Sequence, residues 1–265
     1  MKRGIIAFAI IALFAHCAKV PITGRRQLKL IKSSQMQALS FSQYSEVKAS
    51  SKLVPDSDPR TKMVKEVGAK ISSAVNRFLT NNGYKDRLSE FQWEFNLTEE
   101  NTVNAWCMPG GKVVVYTGIL PITKTEEGLA VVMGHEIAHA IARHGNERMS
   151  QGMISQGITT GVGVALRDKP EAMQSLFVGA IGAGAGVGML AFGRNQESEA
   201  DQLGMVFMAM AGYQPEEAIP FWERMKAVGG GDGTPEFMRT HPSNDIRIER
   251  IKEYLPIAES YYSKQ

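Results

Sequence analysis

Only two cysteines, Cys17 and Cys107, occur in 265 residues, so a disulfide framework is excluded and at most one bridge can form. No basic run is longer than the pairs Lys2-Arg3 and Arg25-Arg26, and 30 basic against 27 acidic residues leave a formal charge of +3. A chain without a positive stripe lacks the footprint of a nucleic-acid binder, so no nucleic-acid partner is expected. Long apolar runs are scarce as well. A spanning helix needs about 20 consecutive apolar residues; the uncharged stretch 4–15 is shorter, and the charge-free stretch 176–193 only touches the lower limit. A hydrophobic content of 43% is nevertheless enough to bury the core of one main domain.

At the N-terminus, Lys2 and Arg3 precede the apolar stretch, which is the layout of a signal peptide. It ends at Leu13-Phe14-Ala15-His16-Cys17, which resembles a bacterial lipoprotein signal whose cysteine is acylated, although His16 stands where such signals carry a small residue. That resemblance implies export to a periplasm and attachment to the outer membrane through a lipid on Cys17, with Cys107 unpaired. A Cys17–Cys107 disulfide and simple cleavage after Ala18 are the alternatives. The expected division is a leader over 1–17, an N-terminal arm over 18–60 carrying a weak helical pattern (Leu39, Tyr44, Val47), and a domain over 61–265.

In that domain, Met63, Val64, Val67, Ile71, Val75, Phe78 and Leu79 recur at three and four and predict an amphipathic helix. Residues 91–97 alternate and 112–116 are β-branched and aromatic, with Pro109-Gly110-Gly111 as the turn between ladder segments. A small sheet therefore precedes the most informative segment. Residues 126–144 predict a helix, with Thr123 and Glu126 spaced as a capping box and Gly145 placed as the C-terminal stop.

On that helix His135-Glu136-x-x-His139 sets the two histidines about 40° apart on one face, one turn from each other, so both rings can reach one ion. Glu136 sits beside that face, poorly aligned to ligate but placed to take a proton from water. His144 lies about 180° round from His135 and is not expected to ligate. A five-residue match arises by chance on amphipathic helices, so the reading needs a third ligand. Glu197 and Asp201, again one turn apart, provide a carboxylate that completes a catalytic His2Glu zinc site and an acceptor that orients a histidine ring. Glu199 is the rival carboxylate; about 200° round from Glu197, it cannot share the same face. A solvated acidic face is the plain alternative.

These motifs, with Asn104-Ala105-Trp106, Pro109-Gly110-Gly111 and Thr240-His241-Pro242-Ser243 with Arg247, resemble the gluzincin peptidase family of the heat-shock protease HtpX and the CAAX prenyl protease over roughly residues 60–254. The stretch 20–28 (Val-Pro-Ile-Thr-Gly-Arg-Arg-Gln-Leu) is similar to the one that follows the leader in the soluble periplasmic branch. The resemblance implies an α+β fold, a mostly helical zincin-like metallopeptidase domain with a small β-sheet whose edge strand lines the active-site cleft. It implies one Zn2+ on His135, His139 and Glu197, Glu136 as the catalytic base, and Asp201 as orienting acid. His241 and Arg247 are implied as oxyanion donors across the cleft, or His241 as an occupant of the open zinc position. Asn104 and Ala105 are implied as substrate contacts, protein or peptide as substrate, and envelope protein quality control as role.

Plain alternatives remain: His241 as a helix-entry residue before Pro242, Arg247 as a surface ion-pair residue, and Trp106 as core. A zinc-stabilised chaperone and a membrane-embedded processing peptidase are the rival functions. The glycine-rich stretch 176–193 is expected to form a buried hairpin with 152–166 across Arg167-Asp168-Lys169-Pro170 rather than a membrane segment.

Overall fold

The computed structural model describes residues 17–155, 170–181, 193–228, 234–241 and 245–262. The expected leader lies outside them but for Cys17, as do Pro242, Ser243 and most of the glycine-rich hairpin. Among the described residues no helix is long and apolar enough to cross a membrane.

The chain opens with a hairpin of β1 (Cys17–Lys19) and β2 (Arg26–Leu28). Its tip turns tightly through positive φ at Ile22 (68°) and Gly24 (67°), the former unusual for a β-branched residue. Helix α1 (Ser33–Ser50) follows, burying Met36, Ser40 and Tyr44. Helix α2 (Pro59–Asn81) starts where Asp58 accepts from the Arg60 N–H at 2.8 Å, with Pro59 at the position whose N–H is not needed. Its apolar stripe, Val64 through Leu79, enters the main core.

The central element is α3 (Glu126–Ala142), buried from Gly128 to its end. Its cap is Thr125, whose side chain accepts from the Gly128 N–H at 3.2 Å, and not Thr123, whose hydroxyl donates to the Leu120 carbonyl. Nor does Gly145 stop it. Arg143 does, by adopting the left-handed conformation (φ 57°, ψ 34°). That costs a non-glycine residue about 1–2 kcal/mol; the Arg143 guanidinium is tied to Glu90. The chain then restarts as α4 (His144–Ser155). Helix α5 (Pro170–Ile181) packs Phe177 against Met149, Met153 and Met36.

Helix α6 (Arg194–Met210) lies along α3. The two backbones meet at Gly134 and Gly204, where a Cβ on Gly204 would stand 2.8 Å from the His135 nitrogen. Helix α7 (Ala218–Val228) packs on α3 and on α9 (Asp245–Glu259), which lies against α6, while the short α8 (Glu236–Thr240) is tied by the Phe237 N–H to the Val103 carbonyl.

The sheet has the order β3 (Glu94–Thr98), β5 (Lys112–Tyr116), β4 (Ala105–Met108), with β3 parallel and β4 antiparallel to β5. The first strand starts three residues later than its alternation suggests, because Phe91 and Trp93 stack at 4.9 Å ahead of the ladder. Gly110 and Gly111 turn the chain at φ 91° and 83°. The edge strand β4 runs beside α3. The expected α+β class, mostly helical with a small sheet edged by a strand at the cleft, is what the chain adopts.

Candidate metal centre

Four side chains from three segments converge behind that edge. His135 and His139 come from α3, Glu197 from the first turn of α6, and His241 from the residue after α8. One donor atom from each lies within 4.8 Å of every other. His139 Nε2 is 3.0 Å from His135 Nε2, which is 3.1 Å from His241 Nδ1. The Glu197 oxygens lie 3.3 Å from His139 Nε2, 3.5 Å from His135 Nε2 and 3.0 Å from His241 Nδ1. These separations match the edges, about 3.3 Å, of a tetrahedron of ligands 2.0–2.1 Å from one ion.

Proton placement points the same way. His135 Nδ1 faces the Asp201 carboxylate at 2.9 Å and so carries the ring proton, which leaves a lone pair on Nε2. His144 Nε2 faces Glu199 at 3.0 Å and donates to it, so His144 Nδ1 accepts from His139 Nδ1 at 2.8 Å. His139 Nε2 therefore also presents a lone pair. Two lone pairs 3.0 Å apart repel unless a cation stands between them, and the donor set fits a divalent metal.

The electrostatics agree. Burial disfavours a charged ring at His135, but Asp201 and Glu197 outweigh it and hold its pKa up at about 9; the pocket favours positive charge, and a metal ion binding there would displace the Nε2 proton. At His139 burial dominates and, with His135 and His144 nearby, keeps the ring well below its ordinary value, hence neutral and able to ligate. Burial opposes ionisation of Glu197, yet His241 and the two α3 histidines hold it well below the usual carboxylate range. Glu136 is raised, chiefly by burial; its Oε1 has no hydrogen-bond partner and lies 3.4 Å from His241 Nε2.

The cleft in front of these groups is lined by Asn104, Ala105, Trp106, Glu136, His139 and His241. Arg247 reaches the centre from α9. Its guanidinium grips Asp201 from behind, Nε to Oδ2 at 2.8 Å and Nη2 to Oδ1 at 2.7 Å, reaches Glu197 at 3.1 Å, and lies 3.4 Å over the Trp222 ring. Those contacts turn it toward the acids, and it is buried, not a surface ion-pair residue. Trp106 is both core, edge-on to Tyr44, and cleft wall. Glu199 faces Thr23, Arg25 and His144, away from the four converging groups.

Sequence reasoning missed the part played by His144. Continuing the α3 wheel past Arg143 puts it on the wrong side, and only the left-handed break turns it back to His139. Trp222 carried no local signal. Cys107 is a free thiol on β4, pushed well above its ordinary value by burial and by Glu136. The alternative Cys17–Cys107 bridge is therefore not formed.

A family model described as peptidase family M48 matches residues 66–255. The chain belongs to peptidase family M48. This M48 chain is 33% identical over 259 residues to the mitochondrial metalloendopeptidase OMA1 of Schizosaccharomyces pombe, covering 96% of itself and 71% of that relative. To OMA1 of Saccharomyces cerevisiae it is 28% identical, covering 95% and 72%. The β-barrel assembly-enhancing protease of Escherichia coli is 29% identical over 161 residues, 59% of this chain and 33% of that protein. The M48 chain is accordingly a metalloendopeptidase, acting on proteins or peptides.

The same matches overturn the expected setting. Relatives aligned along nearly the whole M48 chain are mitochondrial proteins, whereas the bacterial one matches little more than half of it. A periplasmic lipoprotein held to the outer membrane by Cys17 is not what they support. A basic pair before a short apolar stretch reports charge and hydropathy, which address signals for different compartments share.

Proposed function

We propose that the chain binds one zinc ion through His135 Nε2, His139 Nε2 and Glu197, and hydrolyses internal bonds of protein segments laid in extended form along β4. The observation that carries the reading is the convergence of lone pairs and carboxylate at tetrahedral spacing. An N2O donor set on a helix pair suits zinc among the divalent ions. A zinc ion held there supplies Lewis acidity, polarising the scissile carbonyl and making water a nucleophile near neutral pH.

The rest of the chemistry falls to side chains. Glu136, whose Oε1 is buried without a partner, takes the proton of the attacking water and returns it to the leaving amine. Asp201 fixes the His135 tautomer, and Arg247 fixes Asp201 and Glu197. His241 Nδ1 lies among the three ligands rather than beyond them, so it would offer a fourth donor to an ion held there. Because it also lines the cleft, His241 would serve there as a donor to the developing oxyanion.

Substrate binding follows from the ladder. Tyr116 N–H donates to the Asn104 carbonyl, so by alternation Asn104, Trp106 and Met108 bond to β5 while the backbone groups of Ala105 and Cys107 point the other way. Asn104 Oδ1 holds the Ala105 N–H at 2.9 Å until a substrate strand replaces it. Pairing through backbone tolerates many sequences and suits unfolded chains, consistent with a quality-control peptidase.

The test is metal content and cleavage of an unfolded protein by the parent, His139→Ala and Glu197→Ala. The parent should hold one zinc per chain, lose cleavage to a chelator and regain it with zinc. Cleavage that survives both chelation and the two substitutions would refute the reading.

A further inference from the structure

The tip of the N-terminal hairpin touches the residues beside the metal centre. Arg25 donates from Nε to Glu199 Oε2 at 2.8 Å and grips Glu147 with both terminal nitrogens at 2.7 and 2.8 Å. The Thr23 hydroxyl also donates to Glu199. Glu199 in turn accepts from His144 Nε2 at 3.0 Å, and His144 Nδ1 accepts from His139 Nδ1 at 2.8 Å. His144 is wholly buried. Further bonds from Gln27 to the Ala142 carbonyl and from the Leu30 N–H to Ser150 tie the segment that follows Arg25 to the end of α3 and to α4.

The two α3 histidines are thus supported in parallel. His135 donates to Asp201, which is held by a two-pronged arginine, Arg247. His139 donates through His144 to Glu199, which is held by Arg25. In both lines a carboxylate kept in place by an arginine fixes which ring nitrogen carries the proton, and so points a lone pair at the same spot. Glu199, the carboxylate that could not share the face of Glu197, and the stretch 20–28 acquire a role together.

We propose that Arg25, Glu199 and His144 are positioning residues for His139, so that the N-terminal hairpin sets the affinity of the centre for its metal. This rests on His139 being a ligand. Orienting partners of ligand histidines typically contribute about 10- to 100-fold in metal affinity, because they fix ring and tautomer and raise the basicity of the ligating nitrogen. The Glu199 carboxylate accepts from Thr23, Arg25 and His144 together, so three donors fix its place.

The experiment is zinc affinity of the full chain by competition with a chromogenic chelator, with the visible spectrum of the cobalt-substituted protein as a second readout. Expected results are His144→Leu weaker by about 10- to 100-fold, with an altered cobalt spectrum. His144→Asn, whose Oδ1 can take the place of the accepting nitrogen, should recover most of the loss. Glu199→Gln and Arg25→Ala should each weaken binding, and the double variant should be no worse than Glu199→Gln alone, since both act along one line. This last comparison uses a hairpin residue and an isosteric change, and so decides the matter even if His144→Leu fails to fold. His139→Ala must lose the metal in the same assay. If it does while the Arg25 and Glu199 variants keep parental affinity and spectrum, the relay is refuted and the site stands; if His139→Ala keeps parental affinity, both fall.

Discussion

Gly204 on α6 stands so close to α3 that a Cβ would lie 2.8 Å from the His135 backbone nitrogen, and one on Gly134 would lie 2.9 Å from the Gly204 carbonyl oxygen. This approach lets a carboxylate from one helix reach imidazoles on the other. Gly204→Ala should push the helices apart, costing about 1–3 kcal/mol as an overpacked core contact does. Urea unfolding should show that loss together with weaker zinc retention, because Glu197 and Asp201 move with α6. Unchanged stability and zinc retention would mean the close contact does not set the site.

Arg247 holds two buried carboxylates and stacks on Trp222. Arg247→Ala should cost about 3–5 kcal/mol, since it leaves buried charge without its partner. Arg247→Lys should not restore the parent, because an ammonium cannot bond both oxygens of Asp201 in one plane. Thermal unfolding of the zinc-loaded forms measures both; a fully competent lysine variant would show that charge alone matters.

On β4 the Cys107 N–H points away from β5. Cys107→Pro removes that donor without removing a ladder bond. Cleavage of an extended peptide should show KM raised on the order of 10-fold, the equivalent of about one lost hydrogen bond, with zinc content unchanged. An unchanged KM would place the substrate elsewhere.

Glu90 ties the C-terminal end of α3 to the arm, through Arg143 on one side and Ser33 on the other. Burial opposes its ionisation, yet Arg143, with Arg87 and Ser33, outweighs this and keeps the pKa below the ordinary 4.5. A lowered folded-state value means the stabilisation is present above the unfolded value and is lost as pH falls through the folded one. The stability difference between parent and Glu90→Gln should therefore be full near neutrality and shrink below about pH 4.5. Chemical denaturation across that window checks it; a difference that grows on acidification would reverse the sign.

Periodicity made most of this legible. The apolar spacing of α2 and the four-residue offsets in α3 and α6 are helix-wheel facts, and the wheel alone separated Glu197 from Glu199. It could not foresee a break. His144 belongs to a helix that starts after a left-handed Arg143, and no residue type there announces one, since glycine stands two positions later. Arg247 shows a second limit: its sequence neighbours say nothing of Asp201 or Trp222, which reach it only through the packing of α6, α7 and α9. The arm read as polar because its contacts with the centre are ionic, and ionic contacts leave no apolar stripe. The setting was misread for a different reason: a basic pair ahead of a short apolar stretch does not by itself name a compartment.

Glu136 is proposed to move protons next to a metal it does not bind. Glu136→Gln, assayed together for zinc content and for cleavage of an unfolded protein, should keep one zinc per chain while cleavage falls by about 10²- to 10⁴-fold. A variant that loses zinc in parallel with activity, or that cleaves at the parental rate with zinc in place, would contradict it.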